Sequence, residues 1–131
     1  MKNETRSWLE YAVENLKSAE ILLQSHLYNP SLQNSQQAIE KFLKACFIEK
    51  GIKLEKTHAV LILVEKLRNL GFYFTISDDD IDLIDSIYLA SKYPFGSVLP
   101  DFEPDEKICQ KCIEIAKALK DDMEDCMKKR V

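Results

Sequence analysis

At 131 residues, with 46% hydrophobic and 31% charged side chains, the chain has the length and composition of one globular domain that needs no disulfide or metal staple. Three glycines and four prolines are too few for the many turns of a β sandwich or barrel and point to long helices. A net charge of −4 with a pI near 5.2 excludes a generic polyanion binder, and the lack of any run of about 18 apolar residues excludes a helical membrane span.

Residues 5 to 27 form the first predicted helix. Leu9, Ala12, Leu16, Ala19, Leu23 and His26 recur at three- and four-residue spacing, and Trp8, Tyr11 and Leu22 widen that apolar stripe. Asn29-Pro30 then reads as cap and first turn of a second helix running to about Lys50, with Leu32, Ser35, Ile39, Phe42, Leu43, Cys46 and Phe47 on its buried face and Gly51 at its left-handed stop. Thr57 is the predicted cap of a third helix carrying Leu61, Val64, Leu67 and Leu70, closed by Gly71. Phe72 to Ile76 has strand-like residue types but no partner strand, so it is expected to lie on the bundle as an apolar connection. Ser77 or Asp78 opens a fourth helix with Ile81, Ile84, Ile87 and Tyr88 inward. A loop follows over Lys92–Glu103, broken by two prolines and a glycine and too apolar for a solvated linker. Pro104 is expected to begin the last helix, whose face is Ile108, Cys112, Ile115, Leu119, Met123 and Cys126, with Lys128, Lys129 and Arg130 complementing its C-terminal dipole. The expectation is one all-α domain over residues 1–131, an up-and-down bundle of four to five helices.

Charge is polarised along the chain. Lys41 to Lys56 holds five lysines against two glutamates, while Asp78 to Asp85 holds five aspartates and no base. The aspartates suit the helix dipole better than a metal, and Cys109-x-x-Cys112, inside a helical pattern, reads as core rather than as a metal or redox pair. No cofactor is expected. The N-terminus lacks the apolar core of a signal peptide, so the expected compartment is the cytoplasm, with reduced thiols.

Small Ala38 and Ala45 sit on the second helix beside charged Glu40, Lys41 and Lys44. Glu40 and Lys44 are spaced for an i,i+4 ion pair worth about 0.2–0.5 kcal/mol, and Lys44 could equally face an anionic ligand. His58, after a capping Thr57, is expected in the first turn of the third helix, either as a structural residue or as part of a site; His26 reads as a helix-end residue. Lys92-Tyr93 offers a cation and a stacking ring at a helix exit, or an anchor for the following loop.

The block Gln36-Gln37-Ala38-Ile39-Glu40-Lys41-Phe42-Leu43-Lys44-Ala45, then Gly51, then Thr57-His58-Ala59-Val60-Leu61, with Ala90-Ser91-Lys92-Tyr93-Pro94 downstream, resembles the HEPN domain (higher eukaryotes and prokaryotes nucleotide-binding) in its small prokaryotic form. The resemblance implies an all-α bundle that forms a homodimer, binds nucleotide or RNA, and works beside a small nucleotidyltransferase, as in toxin–antitoxin pairs. By residue type and position, the candidate ligand-binding residues are Lys41, Lys44, Lys92 and Tyr93. Other members are metal-independent ribonucleases with an Arg-x4-6-His motif. Here the histidines are His26 and His58 and the arginines Arg6, Arg68 and Arg130, so that motif is absent. Lys92 stands where the small members carry Arg, which keeps the charge and loses the bidentate fork. The resemblance therefore favours a binding module. The alternative is a ribonuclease with a non-standard set drawn from His58, Lys92 and Tyr93.

Overall fold

The computed structural model describes residues 1–54, 56–92 and 103–128, residues 91 and 92 by their backbone alone. Five helices and no strand occur among the described residues: α1 (Asn3–Gln24), α2 (Tyr28–Glu49), α3 (Val60–Asn69), α4 (Asp78–Lys92) and α5 (Glu106–Lys128). This is the all-α bundle expected from sparse glycine and proline. The second helix touches all four others and packs most extensively on α1. Fully buried Ala12, Ala19 and Ala38 let the α1 and α2 backbones approach, close enough for the Ser31 hydroxyl to donate to the Ala19 carbonyl at 2.8 Å. Phe42, Phe47 and Leu43 of α2 share one core with Leu63 and Leu67 of α3, Ile84 of α4, and Leu119 and Met123 of α5. Each such side chain contributes about 1.5–3 kcal/mol by leaving water.

Three helices end in the same way. After α2 and α3 the chain turns through left-handed Gly51 (φ 65°) and Gly71 (φ 94°). Ile52 N–H donates to the Phe47 carbonyl at 2.9 Å, and Phe72 N–H to Leu67 at 3.1 Å, the six-to-one bond of a Schellman motif. The same bond closes α1, from Leu27 N–H to Leu22 at 2.9 Å, but the left-handed residue is His26 (φ 60°). The first helix therefore stops at Gln24 rather than at residue 27, and His26 is exposed rather than part of the stripe. Tyr11 is also exposed, its ring lying 5.5 Å from the Lys41 ammonium. The second helix starts at Tyr28, which places Pro30 in the first turn, where a missing N–H leaves no bond unmade.

The third helix departs most from expectation. It begins at Val60, and Val60, Leu63, Val64 and Leu67 are its buried residues; Leu61 and Leu70 face outward. Thr57 does not cap it. Its hydroxyl accepts Ala59 N–H at 3.1 Å, while the helix's own first amides, Val60 and Leu61, donate to the Asp85 carboxylate of α4 at 2.7 and 3.2 Å. Tyr88, expected inward, is only half-buried. Residues 72–76 do lie on the bundle: Phe72, Phe74 and Ile76 are buried, Tyr73 and Thr75 are not. Side chains replace the missing partner strand, the Arg68 guanidinium donating to the Phe74 and Ile76 carbonyls (3.2 and 2.6 Å) and Thr75 N–H donating to Asp122 at 2.8 Å. Ser77 caps α4 by accepting Asp80 N–H at 3.1 Å. The last helix starts at Glu106, not Pro104, with Asp105 as its cap, accepting Ile108 N–H at 2.8 Å. All four cysteines are buried thiols outside any disulfide. Most of the loop read over 92–103, and Lys129 and Arg130, lie outside the described residues.

Candidate functional site

The outer edge of α2 carries long polar side chains beside its buried stripe. Glu40 is the centre of this edge, with 10% of its side chain exposed. Its Oε1 accepts the Lys44 ammonium at 2.7 Å and lies 2.8 Å from His58 Nδ1, and its Oε2 accepts the Gln36 amide at 3.1 Å. Burial pushes the carboxyl up, but the hydrogen bonds from Lys44 and His58, the charge of Lys44 and the Gln36 bond together outweigh burial and hold it below the usual glutamate value. Glu40 is therefore an anion at neutral pH. An anion accepts only from a proton-bearing nitrogen, so Nδ1 is the protonated one and Nε2 is left over.

His58 is not in a helical turn. It lies in the link two residues before α3, and its ring stacks on Tyr88 of α4 with centroids 4.9 Å apart and planes 22° from parallel. The middle of α2 and the later part of α4 thus meet through this histidine, whose side chain stays 57% exposed. Lys44, by contrast, is 10% exposed and turned onto Glu40. Lys41 sits at the rim, donating to Asn15 Oδ1 of α1 at 2.7 Å. Together they border an open groove of about 430 Å³, floored by α2 side chains from Gln33 to Lys44 and walled by Trp8, His58 and Tyr88.

The structure brings Lys41, Lys44 and His58 into one groove. Lys92 ends α4 one turn beyond Tyr88, its side chain outside the described residues, as is Tyr93. Sequence reasoning did not assign Glu40, Gln36, Tyr88 or Trp8 to the site. The polar row Gln33, Gln37, Lys41 and Lys44 at three- and four-residue spacing was a usable signal for the groove floor. Nothing local predicts that His58 reaches Glu40. The acidic run has other partners: Asp80 lies 3.5 Å from Lys111, and Asp85 holds the start of α3. Among the described residues no three His, Cys, Asp or Glu side chains converge as metal ligands, and no helix is long and apolar enough to cross a membrane.

Comparison with known proteins agrees with this architecture. The HEPN domain profile matches residues 5–126. The fold is similar to that of ST0689, an archaeal HEPN homologue, at a TM-score of 0.72 and 22% identity, covering 98% of this chain and all of the other. It is also similar to TT1696 from Thermus thermophilus, at a TM-score of 0.65 and 24% identity, covering 95% of this chain and 99% of the other. No curated protein matches the chain. With the profile spanning nearly every helix, the protein belongs to the HEPN domain family.

Proposed function

We propose that this HEPN protein binds a nucleotide or a short single-stranded RNA in the α2–α4 groove, and that it acts as a homodimeric module beside a small nucleotidyltransferase in a toxin–antitoxin-like pair. The observation that carries the binding role is the His58–Tyr88 stack, 4.9 Å between centroids, beside a groove bordered by two lysines. Stacked rings offer a flat face to a base, and cations near them attract its phosphate. Two lysines against Glu40 leave this groove locally positive on a chain of net charge −4. Lys92 and Tyr93 follow Tyr88 in sequence and, by residue type, add a cation and a stacking ring for the same ligand. The missing Arg-x4-6-His motif favours binding over cleavage.

Trp8, the one tryptophan of the chain, lines the groove and serves as the reporter. Titration with mononucleotides and with short single-stranded RNA is expected to change its fluorescence saturably. Tyr88→Ala is expected to weaken binding by about 1–3 kcal/mol, and Tyr88→Phe, which keeps the ring, by much less. An unchanged signal with every nucleotide and RNA removes the proposal. Light scattering checks the dimer, and co-purification with a co-expressed nucleotidyltransferase checks the partner. A second reading has one observation behind it: Glu40 orients His58 as a carboxylate orients a catalytic imidazole. RNA cleavage in the presence of chelator, lost in His58→Ala, would establish a ribonuclease in place of a binding module.

A further inference from the structure

We infer that His58 is the anion receptor of the groove, gripping a phosphodiester oxygen through Nε2 only as the imidazolium, so that ligand and one proton bind together. The inference rests on the groove being the binding site. It runs against the simpler assignment of the phosphate to lysine. The Lys44 ammonium is 10% exposed and held on Glu40 at 2.7 Å, and the Lys41 ammonium is held on Asn15 at 2.7 Å beside the Tyr11 ring. Both are partly spent on the protein itself. The imidazole, with 57% of its side chain exposed, is the more accessible donor of the three.

Among the described residues, the ionisable surroundings of His58 are Glu40, Lys41 and Lys44 on α2, Tyr88 on α4, Lys56 in its own link, and Asp85 of α4, which accepts Val60 N–H two residues on; of α1, the neutral Trp8 lines the groove. Glu40 holds Nδ1–H in both charge states of the ring. A change of charge is therefore confined to Nε2, which is a lone pair in the neutral ring and an N–H donor in the cation. A lone pair repels a phosphate oxygen and an N–H binds it. Imidazole is the side chain that makes this change between about pH 5 and 8.

The test uses uridylyl-uridine, whose single phosphodiester keeps one negative charge over that range, followed by Trp8 fluorescence at several pH values. The association constant is expected to fall about tenfold per pH unit on the alkaline side, the signature of one linked proton. Uridine, which has the base without the phosphate, is expected to show no such slope. His58→Asn keeps an amide N–H for Glu40 and removes Nε2; its binding is expected to be weak and level in pH, with an unchanged helical circular dichroism spectrum. Wild-type binding that is level in pH, or a slope that survives in His58→Asn, overturns this inference alone. No binding of uridylyl-uridine at any pH also overturns this inference, whereas the groove itself is removed as the ligand site only if mononucleotides and longer RNA leave the Trp8 signal unchanged as well.

Discussion

His26 holds a left-handed backbone, φ 60°, at a position where α2 and α3 each use glycine. A residue with a Cβ is held there at a cost of about 1–2 kcal/mol, because the Cβ crowds the following carbonyl. Its visible compensation is a contact of 3.2 Å between Nδ1 and the Tyr28 hydroxyl, exposed to solvent. His26→Gly is therefore expected to stabilise the protein by about 1 kcal/mol, read as a higher urea midpoint at unchanged slope. Glu40 works in the opposite sense. Its carboxyl is more acidic in the folded protein than the ordinary value of 4.5, so its contribution is complete above that value and disappears as pH falls through the folded one. Glu40→Gln leaves the Lys44 ammonium buried without its counter-ion, and at neutral pH is expected to cost about 3 kcal/mol. The gap between mutant and wild type should close on acidification below pH 4.5, which urea titrations at neutral and acid pH will measure.

At the scale of the helix, α3 is the element least able to stand alone. It has ten residues, short for an isolated helix, and its first amides are satisfied by Asp85, 25 residues away along the chain. Burial raises the Asp85 carboxyl above its ordinary value despite the bonds from Val60 and Leu61. Its ionised form is thus held at some cost, and this contribution to stability falls as pH rises between the ordinary and the folded value. Asp85→Ala is expected to lower stability by about 1 kcal/mol and to speed amide exchange at Val60 and Leu61. Asp85→Asn retains an acceptor for Val60 and should lose less. This remote cap explains why the start of α3 was misplaced by sequence reasoning: Thr57 is a good local cap, and a cap from another helix leaves no local trace. The ends of α2 and α3 were legible because glycine marks them, whereas the end of α1 was hidden by histidine in the same conformation. The long stripes of α2 and α5 were legible because periodicity repeats over many turns. Within the groove, Lys41, Lys44 and His58 stood out by type and spacing. The Glu40–His58 bond and the Tyr88 stack did not, since each joins elements whose meeting only the folded chain decides.

For the molecule as a whole, the thiols report how far its core opens as one unit. Cys46 lies in α2, and Cys109, Cys112 and Cys126 in α5, the two helices that share the centre of the core; each is at most 3% exposed. Burial pushes the Cys109 thiol up and the Cys112 thiol up to about 12, while Cys46 is raised by its hydrogen bond with Cys126 and by burial. Thiolate is the reacting species, so the folded protein presents almost none of it to a disulfide reagent. All four cysteines are then expected to stay silent in the native state and to react together, at a rate set by the population of the opened form. Because Glu40→Gln is expected to raise that population by about 3 kcal/mol, it should speed labelling of the set about a hundredfold. Cys126 is the discriminating residue. It lines a surface pocket of about 270 Å³ between Phe72, Tyr73 and the end of α5. If it reacts early and alone, with its rate unchanged by Glu40→Gln, then that end of α5 opens independently and the bundle is not one cooperative unit.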